Sequence, residues 1–301
     1  MEYRTLGRTG LQVSALGFGA WEIGWTRPEA GDEVGRLLNR SLDLGINFID
    51  SSAAYRWSEE LIAKYVGHRR REFIFATKCG SGRVLEPDGE WVQTLDYSAK
   101  AVEPQIDRSL QRLKTDYLDI IQLHSPSYED VAFGDGLEGL KKAQAKGKVR
   151  FISLSADGEA AQKAIEIGEY DTLQLTYNIL EQEPAALIAA ARQQNMGIII
   201  KNPIANALYE QPRPTGDSAA LWDRAQTLLT PDCIGDLHRV EAALRWLLGN
   251  RDVHTAIVGT TNLRHLEANV AFAERGPLPA TMLAEIQRRF ALAAAATPPH
   301  Q

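Results

Sequence analysis

Cysteine is scarce in this chain: Cys79 and Cys233 are the only two among 301 residues. Two thiols cannot build a disulfide framework, and no metal-ligand spacing joins them to histidines, so no metal is expected. Long apolar runs are missing as well. No stretch reaches membrane-spanning length, and the opening MEYRTLGRTG lacks the apolar core of a signal peptide. The expected compartment is therefore the cytoplasm, without a membrane partner. Nor is positive charge in excess. Lys and Arg number 33 against 39 Asp and Glu, a net charge of -6. Nucleic acid is not an expected partner, because phosphate contacts need a basic face. The run His68-Arg69-Arg70-Arg71 is the local exception and reads as a solvated turn between a helix and a strand.

What is present is an ordinary globular composition, 44% apolar and 24% charged, with chain enough to bury a core. Short apolar runs alternate with amphipathic stretches eight times. The runs are Ala15–Phe18, Asn47–Asp50, Phe73–Lys78, Leu118–His124, Val149–Ser155, Thr172–Leu175, Gly197–Asn202 and Thr255–Val258. Most are too short for helices and lack strict alternation, as strands buried on both faces do. Between them, Val34, Leu37, Leu38 and Leu42 fall on one helical stripe, as do Val102, Ile106, Leu110 and Leu113, then Val240, Leu244 and Leu247. The pattern predicts an α/β fold, a (β/α)8 TIM barrel, over a doubly wound open sheet.

Loop lengths point the same way. Helix-to-strand connections are short, whereas Cys79–Tyr97 and Pro203–Asp236 are long strand-to-helix loops, clustered at the end where a barrel builds its active site. Tyr3–Leu6 and Leu11–Val13 predict an N-terminal β-hairpin, and Thr281–Leu292 an extra C-terminal helix. No composition break divides the chain, so 1–301 is expected to form one domain. The pair Gly17 and Gly19 around Phe18 lies on a barrel strand and reads as packing, not as a dinucleotide motif.

In such a barrel, polar residues at the C-terminal strand ends point into the mouth. Asp50 ends the second strand, Lys78 the third and His124 the fourth, while Tyr55 sits five residues past Asp50. A phenol titrates near ~10, and a lysine within reach lowers that value by favouring the phenolate. Asp50 would hold Lys78 charged, and His124 would orient the same substrate oxygen. Such a group protonates a developing alkoxide. No side chain supplies a hydride, so a nicotinamide must be recruited. Trp21, Trp25, Trp57 and Trp91 follow the first three strands and suit the aromatic walls of a substrate pocket, one of them at least being loop packing.

The stretch GINFIDSSAAYRWSEELIAKYV, followed by FIFATK and DIIQLHS, closely resembles the aldo-keto reductase family, and the similarity runs over nearly the whole chain. The resemblance implies a catalytic tetrad of Asp50, Tyr55, Lys78 and His124, with Tyr55 as acid. It also implies NADPH across the barrel mouth, NADH being the alternative, and a small carbonyl substrate. Ser155 and Gln174 match residues that hold the nicotinamide amide in the family, whereas Ala156 stands where the family has Asn. Lys201 stands where an aromatic usually stacks, open to a role on substrate or phosphate, or in a salt bridge. Asn202, Pro203, Ile204 and Asn206 resemble the pyrophosphate loop. IVGTTNLRHLEANV is similar to the adenosine segment, where Gly259, Thr260 and Thr261 open a helix suited to a phosphate. Arg264 is a candidate for the 2′-phosphate, with His265 and Asn269 beside it and Ala268 in place of Glu. Three rivals use the same fold: a class I aldolase with Lys78 or Lys201 as Schiff-base amine, a slow nucleotide-sensing subunit, and a sugar dehydrogenase running toward oxidation with NAD+.

Overall fold

The computed structural model describes residues 1–216 and 218–296. Asp217, and residues 297–301 of the expected 1–301 unit, lie outside the described residues. The chain opens with β1 (Tyr3–Thr5) and β2 (Gln12–Ser14), paired antiparallel. Next come β3 (Leu16–Gly19), β4 (Phe48–Asp50) and β5 (Ile74–Cys79). A second antiparallel ribbon, β6 (Ser81–Leu85) and β7 (Trp91–Leu95), precedes β8 (Leu118–His124) and β9 (Val149–Ser155). The last strands are β10 (Thr172–Thr176), β11 (Gly197–Lys201) and β12 (Thr255–Gly259).

Eight of these, β3, β4, β5 and β8 to β12, form a closed barrel in which β12 returns to pair with β3. Every adjacent pair in it is parallel. Closure rules out the open sheet.

The helices follow their strands in order. They are α1 (Asp32–Asp43), α2 (Ser58–Val66), α3 (Ala99–Leu113), α4 (Tyr128–Ala132), α5 (Gly136–Ala145) and α6 (Gly158–Ile167). Then come α7 (Ala185–Gln193), α8 (Ser218–Leu228), α9 (Pro231–Ile234), α10 (Arg239–Leu248), α11 (Leu263–Glu274) and α12 (Ala280–Ala296). The apolar stripe of α1 is buried at Val34, Leu37, Leu38 and Leu42. Burial of each such side chain is favourable by about 1.5–3 kcal/mol, which holds the helical layer on the strands.

The N-terminal hairpin plugs the bottom of the barrel. Leu6, Leu11 and Val13 pack with Phe48, Ala76, Ile120, Ile199 and Ile257. Its turn fits closely: Gly7 has φ +49, and a Cβ there would collide with the backbone of Met196 and Gly197.

Two long connections hold structure that periodicity did not reveal. The Cys79–Tyr97 loop is the β6–β7 ribbon, turning at Gly89 with φ +89. The Pro203–Asp236 loop contains α8 and α9, which join α12 in a separate core including Leu228, Leu229, Ile234 and Ile286. The basic run is a short helical turn in which Arg69 pairs with Asp43 and Glu72, and Arg70 with Asp119.

Candidate active site

Strand register sets the site. Lys78 lies opposite Gln122, and His124 opposite Ser155, which in turn faces Gln174 across β9 and β10. Inward-pointing side chains recur every second residue, so Gln122 and His124 share a face of β8. At this level the barrel mouth closes around one charged knot. Lys78 Nζ donates to Asp50 Oδ2 at 2.5 Å, to the Ser51 carbonyl at 2.9 Å and to Tyr55 Oη at 3.3 Å. The other Asp50 oxygen accepts amide N–H groups from Gln122 at 2.9 Å and Gln174 at 2.8 Å. Asp50 and Lys78 are both 1% exposed, so the pair sits in a medium where an unpaired charge would be costly.

Burial opposes the Lys78 charge, but Asp50 and Tyr55 outweigh it and hold the ammonium above its ordinary range. Tyr55 departs from the sequence expectation. Burial pushes its phenol up, the Lys78 cation pulls it back only in part, and the net direction is upward. The expectation weighed the cation without the desolvation around it. Tyr55 is thus a phenol that keeps its proton.

His124 forms an edge contact with the Tyr55 ring at 5.8 Å between centroids. Burial, with Lys78 and Lys201 nearby, pushes its pKa down to about 3, so the ring is neutral. Its Nδ1 lies 3.0 Å from Ser52 Oγ, which also accepts the Ala54 N–H at 3.0 Å. Ser52 and Gln122 escaped the sequence reading. Gln122 carried a usable signal, two residues before His124 on the same strand, whereas Ser52 lies on a turn and carried none.

Two openings meet at Tyr55 and His124. One is a cleft of about 980 Å³ that contains most of the expected cofactor residues: Ser155, Gln174, Lys201, Asn202, Pro203, Ile204, Asn206, Gly259, Thr260, His265 and Asn269. Ser155 donates to Gln174 Oε1 at 2.9 Å, which leaves one amide N–H of Gln174 without a partner among the described residues. Asn202, Ala205, Asn206 and Ala207 all have positive φ, near +50, so their loop runs against ordinary backbone preference beside the cleft. Lys201 is salt-bridged to Asp157 at 2.8 Å. Arg264 and Thr261 are exposed and do not line the cleft. For Arg264 the reason is helical phase: His265, Ala268, Asn269 and Phe272 form the stripe of α11 that lines the cleft. Glu22, not anticipated, projects into the same cleft over Gly259, with one oxygen buried and unpartnered, and burial raises its pKa.

The other opening is a cavity of about 610 Å³ against the β6–β7 ribbon. Of the four tryptophans, only Trp21 lines it. Trp57 and Trp91 pack edge to face on one another at 5.2 Å, and Trp25 stands against Trp21 at 5.7 Å.

A parallel eight-stranded barrel with a buried Asp–Lys–Tyr knot and a neutral histidine, flanked by a long cleft, has the form of a barrel oxidoreductase. The chain belongs to the aldo/keto reductase family, whose sequence model matches residues 15–289. It is thereby an NAD(P)-dependent oxidoreductase of the aldo-keto reductase type. L-galactose dehydrogenase of Arabidopsis thaliana is 28% identical over 288 residues, covering 90% of this chain and 88% of that protein. An NADH-specific methylglyoxal reductase of Escherichia coli is 25% identical over 300 residues, covering 88% and 91%. Among solved structures, the holo form of an aldo-keto reductase from Bacillus halodurans superposes with a TM-score of 0.83, at 26% identity and 96% coverage of both chains.

Proposed function

We propose that this protein, acting as one barrel unit, reduces an aldehyde or ketone to an alcohol with Tyr55 as general acid. The observation that carries this reading is the Lys78 ammonium held between Asp50 and the Tyr55 hydroxyl. A reduced nicotinamide bound in the cleft supplies the hydride. Tyr55 gives its proton to the carbonyl oxygen as negative charge develops there, and the adjacent Lys78 cation steadies the phenolate left behind. Asp50 keeps that cation in place, and the two glutamine amides keep Asp50 from turning. Ser52, whose oxygen already accepts the Ala54 N–H, has its hydroxyl hydrogen to give to His124 Nδ1. The ring then carries its own hydrogen on Nε2 and donates it to the substrate oxygen.

The cleft of about 980 Å³ has room for a dinucleotide, and the free Gln174 N–H and Asn269 are among its lining donors. The 2′-phosphate is less well served. Arg264 lies outside the lining, Lys201 is committed to Asp157, and Glu210 adds a carboxylate to the cleft. These contacts leave NADH, named for the E. coli relative, as the alternative to the NADPH expected from the sequence. The aldolase reading loses support, because both candidate lysines are ion-paired, and Asp50 holds Lys78 as a non-nucleophilic cation. A sugar dehydrogenase running toward oxidation uses the same groups in reverse, and the plant relative's name keeps it as the second reading.

Wild type and Tyr55→Phe, assayed on an aldehyde panel with each nicotinamide cofactor, test the assignment. The variant should lose roughly 10²–10⁴ in kcat and bind cofactor nearly as before. Wild-type turnover by the variant would sink it.

A further inference from the structure

The cavity beside the β6–β7 ribbon has a chemical character of its own. In the ribbon register Arg83 faces Gln93 and Ser81 faces Leu95. Cross-strand partners, and residues two apart, share a face. All four side chains therefore stand on one side of the ribbon, and that side lines the cavity reached by Tyr55 and His124. The cavity's one fixed cation is Arg83. Its one carboxylate, Asp130, is held in a capping box by the Ser127 N–H at 2.9 Å and makes no pair with it.

Arg83 has a companion. Arg56, the residue after Tyr55, has φ +50, a left-handed backbone that a bulky side chain rarely adopts. That turn lays its guanidinium 3.7 Å from the Trp25 ring centroid, with Arg83 5.9 Å from the same centroid. Neither guanidinium meets a carboxylate or carbonyl acceptor among the described residues, and Arg56 Nε is fully buried without a partner. Elsewhere among the described residues, arginines shielded from solvent have acceptors, as at Arg112, Arg224, Arg239 and Arg245, and Arg70, whose Nε is likewise buried and unpartnered, still donates from its terminal nitrogens to Phe73 and Asp119. A ring face compensates a desolvated guanidinium only in part. In a chain of net charge -6, Arg83 lines the cavity beside the reacting centre without a carboxylate partner, and Arg56 stands outside that lining against Trp25, so the pair forms a receptor for a negative group.

We propose that the substrate carries, besides its carbonyl, a carboxylate or phosphate that Arg83 receives, Arg56 reinforcing the field from across Trp25. The inference rests on the carbonyl-reductase reading, because it takes the carbonyl oxygen to sit at Tyr55 and His124. In the reaction one hydride adds to the carbonyl carbon and one proton to its oxygen. The anionic group stays intact throughout and serves only to hold the molecule end to end. Arginine suits both anions, since its planar fork matches either set of oxygens.

The test compares charged and neutral members of matched pairs: succinic semialdehyde against butanal, and erythrose 4-phosphate against erythrose. Wild type should favour the anionic member of at least one pair by about 10- to 100-fold in kcat/KM. Which pair responds separates carboxylate from phosphate. Arg83→Met should bring the two values of that pair together, Arg83→Lys should keep part of the preference, and added salt should erode it in wild type. Equal kcat/KM within both pairs in wild type, or a preference that survives in Arg83→Met, would overturn the proposal. Binding of 4-hydroxybutyrate or erythritol 4-phosphate, followed by tryptophan fluorescence against butanol or erythritol, decides the matter independently of turnover. Should no carbonyl be reduced with either cofactor, the reductase reading fails. The anion site still stands or falls on whether those anions bind wild type more tightly than Arg83→Met.

Discussion

At the residue scale, chemistry depends on groups that never touch the reacting atoms. Ser52 is the sharpest case, because a neutral histidine has one ring hydrogen and two places to put it. In the proposed mechanism Ser52, 3.0 Å from Nδ1, is the donor of that pair, and the ring hydrogen is left on Nε2 for the substrate oxygen. Ser52→Ala removes that bias and leaves the ring freer to turn. We expect kcat to fall roughly fivefold, the worth of about 1 kcal/mol from one lost hydrogen bond. Cofactor affinity should stay nearly constant, and Ser52→Thr should restore most of the rate. A Ser52→Ala enzyme with wild-type kcat would mean that packing alone orients His124. The Asp50 carboxylate shows the same economy. Its oxygens are shared among Lys78, Gln122 and Gln174, so the negative charge that holds the lysine is itself fixed from two further strands.

At the element scale, the bottom of the barrel is the least forgiving part. Gly7 combines a positive φ with backbone on the side where a Cβ would go. Gly7→Ala should destabilise the protein by about 2 kcal/mol or more, seen as a fall of several degrees in Tm. The folded fraction should retain its kcat, since the turn lies at the end of the barrel away from Tyr55. A Tm within a degree of wild type would contradict this account of the plug. Elements differ in how legible they were. The barrel strands were readable because burial on both faces leaves short apolar runs, and β8 and β9 match their expected bounds, Leu118–His124 and Val149–Ser155. The gathering of Asp50, Tyr55, Lys78 and His124 was readable because strand ends have a known direction in a barrel. The β6–β7 ribbon was not, because most of its residues are exposed and it carries no core-facing period, although the Asp88–Gly89 turn was a local sign. Helices α8 and α9 hid inside an apparent loop because their partner, α12, lies some fifty residues farther along the chain. The direction of the Tyr55 shift was equally out of reach, since desolvation depends on the surrounding pack and not on spacing.

At the scale of the whole molecule, buried histidines tie stability to acidity. His124 has a pKa of about 3 and His254 of about 4, both lowered by burial first and by neighbouring cations second. An unfolded histidine titrates near ~6.5. Above that pH both states are neutral and the shifts cost nothing. As pH falls below it, the unfolded chain takes up protons that the fold refuses. Stability should therefore decline from about pH 6.5 downward, by up to about 1.4 kcal/mol per pH unit for each histidine. His254 is the better one to test, being remote from the mouth, with Nδ1 accepting the Ile198 N–H at 2.8 Å. His254→Asn should flatten the dependence of Tm on pH between 6.5 and 5, before most carboxylates titrate. A wild-type Tm that is level across that interval would refute the linkage.

The two openings rest on unlike supports. The cleft wall that follows β11 is backed by a core of its own, through α8, α9 and α12, whereas the ribbon opposite stands with most side chains in water. A substitution on the first wall disturbs packing and is felt as lost stability. One at an exposed ribbon position disturbs little packing and, on the proposed reading, changes what the cavity recognises. If the cavity receives the substrate as proposed, evolution, or a directed library at positions 83, 93 and 95, can alter the clientele of this enzyme without renegotiating its fold or its source of reducing power.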